Sequence, residues 1–259
     1  MQAKRGAPSK GALTALGTKE TLGRSPAQAR RVQCLPDMST SARHHVASER
    51  EMRIPPIGLE GSLALPEGAQ AVVAFAHGSG SSRLSPRNNQ VASALRELRL
   101  GTFLFDLLTE EEAADRRKVF DVPLLARRLL LATDWLAETE VTRALPVGYF
   151  GASTGAAAAL VAATQGVRDI GAIVSRGGRP DLAGAALRQV RAPTLLVVGS
   201  LDHAVLDMNR AALAELQCEK ELAIVAGATH LFEEPGALEE VTALAGRWFI
   251  DHLIGKERR

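Results

Sequence analysis

From Arg53 onward the chain alternates between two kinds of apolar pattern. Ala71-Val-Val-Ala-Phe-Ala76 is a continuous apolar run, which is what a strand buried on both faces requires. Runs of the same kind fall at Thr102–Phe105, Pro146–Phe150, Ile170–Val174, Thr194–Val198 and Leu222–Val225. Between them, apolar residues recur at helical spacing over about Arg87–Arg99, Val122–Glu138, Ser153–Gln165, Leu206–Leu216 and Ala237–Leu253. Strands alternating with helices predict an α/β fold: a mostly parallel central sheet with helices on both faces and right-handed crossovers. Ile54 to Leu65 alternates and carries turn residues, which predicts a hairpin at the sheet edge. No internal repeat is visible, and one domain over residues 49–259 accounts for the pattern.

Residues 1–48 show no such periodicity. They are rich in Arg, Lys, Ser, Ala and Gly and are expected to be disordered. Three readings compete: a transit-type peptide, a start assigned upstream of the true Met38 or Met52, and a basic arm for nucleic acid. The second is favoured, because the segment implies no structure.

Charge sharpens this division. Residues 1–48 hold eight Lys/Arg and two acids, so the remainder carries a net −4 of the overall +2. A nucleic-acid partner would need basic residues clustered on the folded part, so none is expected. No run of about 18 apolar residues exists, so no membrane span is expected. Cys34 and Cys218 cannot build a disulfide framework, and no Cys/His cluster has zinc spacing. No metal is expected, and a cytoplasmic setting fits best. Only 4% of residues are aromatic, so the core and any pocket must be walled by Ala, Val and Leu.

The stretch Leu145-Pro-Val-Gly-Tyr-Phe-Gly-Ala-Ser-Thr-Gly155 carries the first candidate chemistry. A strand runs into Gly-x-Ser-x-Gly and a helix begins at once, the sequence form of a nucleophile elbow. A sharp strand-to-helix turn brings its two arms close together, so small residues are needed on both sides. Gly151, Ala152, Gly155 and Ala156 provide them. The turn lifts Ser153 Oγ above the sheet and aims the first free N–H groups of the helix at whatever the serine attacks. The bland alternative is a serine that merely caps a helix.

In a parallel sheet, ligands sit beyond the carboxyl ends of the strands. Asp202 follows the run at Thr194–Val198, and His230 follows Leu222–Val225. Ser153, Asp202 and His230 thus reach one rim in the order Ser, Asp, His. His230 Nε2 would take the serine proton, and Asp202 would hold the other ring nitrogen protonated. His203, His252 and His77 are weaker bases by position, and Asp106 is the fallback acid.

The loop His77-Gly-Ser-Gly-Ser-Ser-Arg-Leu-Ser-Pro-Arg-Asn88 places a His-Gly pair after the first buried strand. Hydrolases put half of an oxyanion hole there, which assigns the Ser79 and Thr154 N–H groups. A dinucleotide fingerprint is a poorer reading of Gly78-x-Gly80, because Arg83 stands at the third glycine position. Ser175-Arg-Gly-Gly-Arg-Pro-Asp181 also leaves a strand at the active end. Arg176 and Arg179, with Arg83, are candidate holders of a substrate carboxylate or phosphate. The alternative is arginines paired to Asp181 or to nearby acids. Leu107–Lys118 reads as a solvated helical turn rather than part of a site.

These segments resemble the dienelactone-hydrolase-like α/β-hydrolases, in the branch found alone or fused to a phosphoribosyltransferase domain. The matching segments are His77–Asn88, Asp106–Thr109, Gly151–Gly155, Ser175–Asp181, Gly199–Asp202 and Gly227–Gly236, within about residues 50–255. The resemblance implies an α/β-hydrolase fold and a serine hydrolase, without cofactor, for an ester, lactone or thioester. Dienelactone hydrolases proper use a cysteine nucleophile, whereas this elbow carries Ser153, so dienelactone itself is not the expected substrate. No phosphoribosyltransferase motif with paired acids is visible, and that activity is not carried over. A hydrolase-fold binding protein without turnover is the alternative. The interval Ser175–Pro193 leaves room for at most a short helix, about Leu182–Val190, so no large lid is expected. Short-chain, soluble esters, anionic ones among them, are the expected substrates.

Overall fold

The protein is described by a computed structural model over residues 46–255. The six apolar runs become β3 (Ala71–Ala76), β4 (Leu100–Phe105), β5 (Val147–Ala152), β6 (Ile170–Arg176), β7 (Thr194–Gly199) and β8 (Lys220–Val225). Ahead of them lies the hairpin of β1 (Val46–Ile54) and β2 (Leu59–Pro66). Together they form one sheet in the order β1-β2-β4-β3-β5-β6-β7-β8. The β1–β2 and β2–β4 pairings are antiparallel and all others parallel. This is the α/β-hydrolase fold.

The hairpin differs from its sequence reading. Its first strand begins at Val46, so a domain boundary at residue 49 would cut through β1. β1 pairs on one side only, and Arg50, Glu51 and Arg53 are exposed along it, so it has no apolar run to announce it. The expectation of disorder for residues 1–45 lies outside the described residues.

Successive side chains of a strand point to opposite faces, and both faces here are apolar. Val72, Ala74 and Ala76 of β3 join one core cluster, while Ala71, Val73 and Phe75 join the other. The first cluster is closed by α4 (Val122–Glu138), α5 (Thr154–Gln165) and α6 (His203–Glu215). The second is closed by α1 (Pro86–Glu97) and α7 (Ala237–Phe249). Helix starts follow local chemistry. Asp121 accepts the Leu124 N–H at 2.9 Å, and Pro123 sits in the first turn of α4, where its missing donor costs nothing. Between β6 and β7, a short 3₁₀ stretch, Pro180–Gln189, bends at Gly184 and buries Pro180, Ala183 and Leu187. It packs against α5 and α6 at the flank of the sheet and forms no large lid.

Candidate active site

β5 hands the chain directly to α5 through Ser153, whose backbone lies at φ 50°, ψ −121°. That region is rarely open to a side-chain-bearing residue and costs of order 1–3 kcal/mol. Two contacts hold it there: Ser153 N–H donates to Arg176 O at 3.4 Å, and Arg179 N–H donates to Ser153 O at 3.0 Å. Gly155 is required by sterics, since a Cβ there would meet Ala76 O at 2.0 Å and His77 O at 2.5 Å. The end of β3 therefore lies against the first turn of α5. Ser153 is half-buried, and although it stands at the N-cap position of α5 its hydroxyl caps no helix N–H.

Asp202 occupies the N-cap position of α6 but makes no side-chain cap bond. Its Oδ2 lies 2.6 Å from His230 Nδ1 instead. Asp202 is largely buried and His230 is about two-fifths exposed, so one partner is shielded and the other faces the open rim. His203 is the first residue of α6 and is exposed. Asp106, the fallback acid, is taken by Arg83: the Arg83 N–H and Nη1 reach its two carboxylate oxygens at 2.7 and 2.8 Å.

Gly78 packs on the elbow so tightly that a Cβ would stand 3.0 Å from Ser153 Cβ. The Ser79 and Thr154 N–H groups donate to nothing among the described residues, which leaves both free for a ligand oxygen. The loop is anchored by His77. Its Nε2 accepts the Leu107 N–H at 3.0 Å, so Nδ1 carries the proton and donates to Gly78 O, also at 3.0 Å. Burial holds the His77 pKa below its usual 6.5, against the opposing pull of Gly78 and Asp106. The folded ring therefore stays neutral at pH values where the unfolded chain takes up a proton. The resulting stability is complete above about pH 6.5 and falls as the pH drops below it. In urea titrations at about pH 7.5 and about pH 5, wild type is expected to lose more stability on acidification than His77→Gln, which cannot titrate. Equal losses would show that His77 is not an acid-sensitive anchor.

A cavity of about 1200 Å³ opens beside the elbow. Gly78, Ser79 and Thr154 form part of its wall; Ser153, Asp202 and His230 are not among its lining residues. The stretch after β4, read from sequence as a solvated turn, forms two short helices, α2 (Glu110–Ala113) and α3 (Arg116–Val119). Thr109, Glu110, Ala113 and Arg116 from this stretch line the cavity, so it walls a cleft instead of lying wholly in solvent.

The three candidate arginines part company. Arg83 is bound by Asp106 and by Glu60 at 2.8 Å, with Glu51 at 3.7 Å, so it braces the loop and is not a free anion holder. Arg179 makes a two-pronged pair with Asp181 at 2.9 and 2.8 Å, the local pairing weighed as the alternative. Arg176 alone is buried without a carboxylate partner among the described residues. Among those residues, no group of three or more His, Cys, Asp or Glu is placed to hold a metal ion, and no helix is long and apolar enough to cross a membrane.

The solved structure of a dienelactone hydrolase from Anabaena variabilis is 52% identical, with a TM-score of 0.77, covering 81% of this chain and 100% of that one. Est1E from Butyrivibrio proteoclasticus shares the fold at a TM-score of 0.66 and 15% identity, covering 80% of this chain and 99% of that one. Two Mycobacterium tuberculosis proteins, from strains CDC 1551 and H37Rv, are 56% identical over 200 residues and are provisionally named phosphoribosyl transferases. That match covers 77% of this chain but only 45% of theirs, so this chain spans less than half the length of those relatives. No protein-family model matches. Identity of this order over the whole of a solved relative places the chain in the dienelactone hydrolase family.

Proposed function

We propose that this protein is a serine hydrolase that cleaves small ester, lactone or thioester substrates through an acyl-enzyme. Ser153 Oγ attacks the carbonyl carbon while His230 Nε2 takes its proton. Asp202, on Nδ1, fixes the tautomer that leaves Nε2 free and stabilises the imidazolium that forms. The Ser79 and Thr154 N–H groups receive the oxyanion. The leaving group departs with the proton held by His230, and water then releases the acyl group by the same relay. The observation that carries this reading is the 2.6 Å contact between Asp202 and His230. A carboxylate placed to cap its own helix serves a histidine 28 residues away instead. Ser153 Oγ has no hydrogen-bond partner among the described residues, and the serine–histidine bond is expected to form when substrate is bound.

The phosphoribosyl transferase name belongs to longer relatives, of which the match covers 45%, and the sequence carries no phosphate motif with paired acids, so that activity is not carried over. The substrate should be short and soluble. The 3₁₀ stretch at Pro180–Gln189 is too short for a large lid and contributes no residue to the cavity wall, where charged residues, Arg53, Glu60, Arg83 and Arg87, stand. Acetate and butyrate p-nitrophenyl esters are expected to exceed laurate and palmitate esters in kcat/KM, and a fluorophosphonate should label Ser153. A kcat/KM that climbs beyond about eight acyl carbons, or labelling elsewhere, would overturn the proposal.

A further inference from the structure

Arg176 ends β6 and is only 7% exposed. Its guanidinium carries five N–H donors. One goes to Asn88 Oδ1 at 3.3 Å, the only hydrogen bond the side chain makes among the described residues. Nε is buried with no partner. The Phe232 ring lies 5.9 Å from Cζ. Three neighbouring arginines each have a carboxylate: Arg83 has Asp106 and Glu60, Arg87 has Glu233, and Arg179 has Asp181, while Arg116 in the cavity wall is exposed and lies over the Phe120 ring. The charge that Arg176 does feel is that of Arg87, which is also positive. Burial, and then Arg87, push the Arg176 pKa down to about 10. A buried cation without a counter-ion is costly and gains nothing from packing that a leucine or methionine would not provide.

Its position gives the cost a use. Arg176 pairs in register with Ala152, the residue before the nucleophile, and its carbonyl accepts the Ser153 N–H. A Cβ on the next residue, Gly177, would stand 3.5 Å from His230 Cε1. Phe232 follows His230 by two residues, and Asn88 sits in the first turn of α1, just after the cavity-lining residues Ser85, Pro86 and Arg87. The guanidinium lies where the elbow, the histidine loop and the cavity-lining start of α1 meet.

We infer that Arg176, seconded by Arg87, is a binding residue for an anionic group, a carboxylate or a phosphate, carried by the molecule whose acyl carbon is offered to Ser153. The planar fork of a guanidinium matches either anion, and an anion there would supply the missing charge. The identity of the molecule as an acyl substrate rests on the serine-hydrolase reading. The anion site itself does not.

The test uses the full chain and two free anions, benzoate and inorganic phosphate. In wild type, at least one of them should raise the melting temperature and inhibit hydrolysis of neutral phenyl acetate competitively. The anion with the lower inhibition constant identifies the group as carboxylate or phosphate. Arg176→Met should raise that constant roughly ten- to hundredfold and abolish the thermal shift. Arg176→Lys, which keeps the charge but loses the fork, should fall between, and it serves alone if the methionine variant does not fold. Arg87→Gln should weaken the anion by less. A merely structural arginine would leave the inhibition constant unmoved, and an unmoved constant overturns the inference. So does a wild type that neither anion stabilises nor inhibits. If phenyl acetate is not hydrolysed at all, the thermal shift still reads the anion site, and only the serine-hydrolase reading falls.

Discussion

Ser153→Ala is expected to lower ester turnover by about 10⁴-fold or more while leaving the fold intact. The serine is the only atom set at the elbow that can form the acyl bond, because Oγ stands on a turn whose neighbours are Ala152, Thr154 and two glycines. Thr154 cannot substitute, since its side chain is buried in the first turn of α5. Stability should change little. The hydroxyl makes no hydrogen bond among the described residues, and alanine meets the same backbone strain at φ 50° as serine does. Turnover of p-nitrophenyl acetate and thermal melts of both proteins check the two halves. Activity near that of wild type would mean the nucleophile lies elsewhere.

Asp202→Asn is expected to be nearly as damaging, at about 10⁴-fold in kcat. The asparagine can donate its amide N–H to Nδ1. The ring proton then moves to Nε2, and the nitrogen that should accept the serine proton becomes a donor. The carboxylate that stabilises the imidazolium is lost at the same time. Asp106→Asn is the control. Its carboxylate holds Arg83 and the loop backbone, so its loss should loosen the oxyanion loop and lower stability rather than switch the tautomer of His230. If Asp106→Asn does the greater harm to kcat, the acid is misassigned.

Much of this molecule was readable from sequence for a physical reason. Strands of a parallel sheet are buried on both faces, so β3, for example, leaves an unbroken apolar run at Ala71–Ala76, and the structure shows that span unchanged. The elbow was readable because sterics leave little choice: Gly155 cannot carry a Cβ beside Ala76 O. The edge was harder. β1 pairs along one side, so its exposed Arg50, Glu51 and Arg53 carry no trace of burial. The arginines were harder still. Their positions after strand ends place Arg83, Arg176 and Arg179 near one rim, but an ion pair is a property of two side chains. Arg83 meets Asp106 across 23 residues and Glu60 across the sheet, and neither spacing forms a local motif. Arg179 and Asp181, only two residues apart, were legible in principle. The role of α2 and α3 as cavity wall was hidden because short polar helices look alike whether they face water or a cleft.

The order in which the three rim residues occur along the chain has a consequence in time. Ser153 leaves the end of β5 near the middle of the sheet, whereas Asp202 and His230 leave β7 and β8 at its far edge. Between them lies β6, which must pair on both sides before the acid and the histidine join the same sheet as the serine. A ribosome emits β8 last of the strands, so the growing chain can fold its hairpin, α4 and the elbow and still be chemically inert. If the three residues act as proposed, competence arrives late and all at once, when the final edge strand docks and His230 finds Asp202. The return of hydrolysis after dilution from denaturant is therefore a clock for the closing event of folding, and should trail the recovery of helical signal.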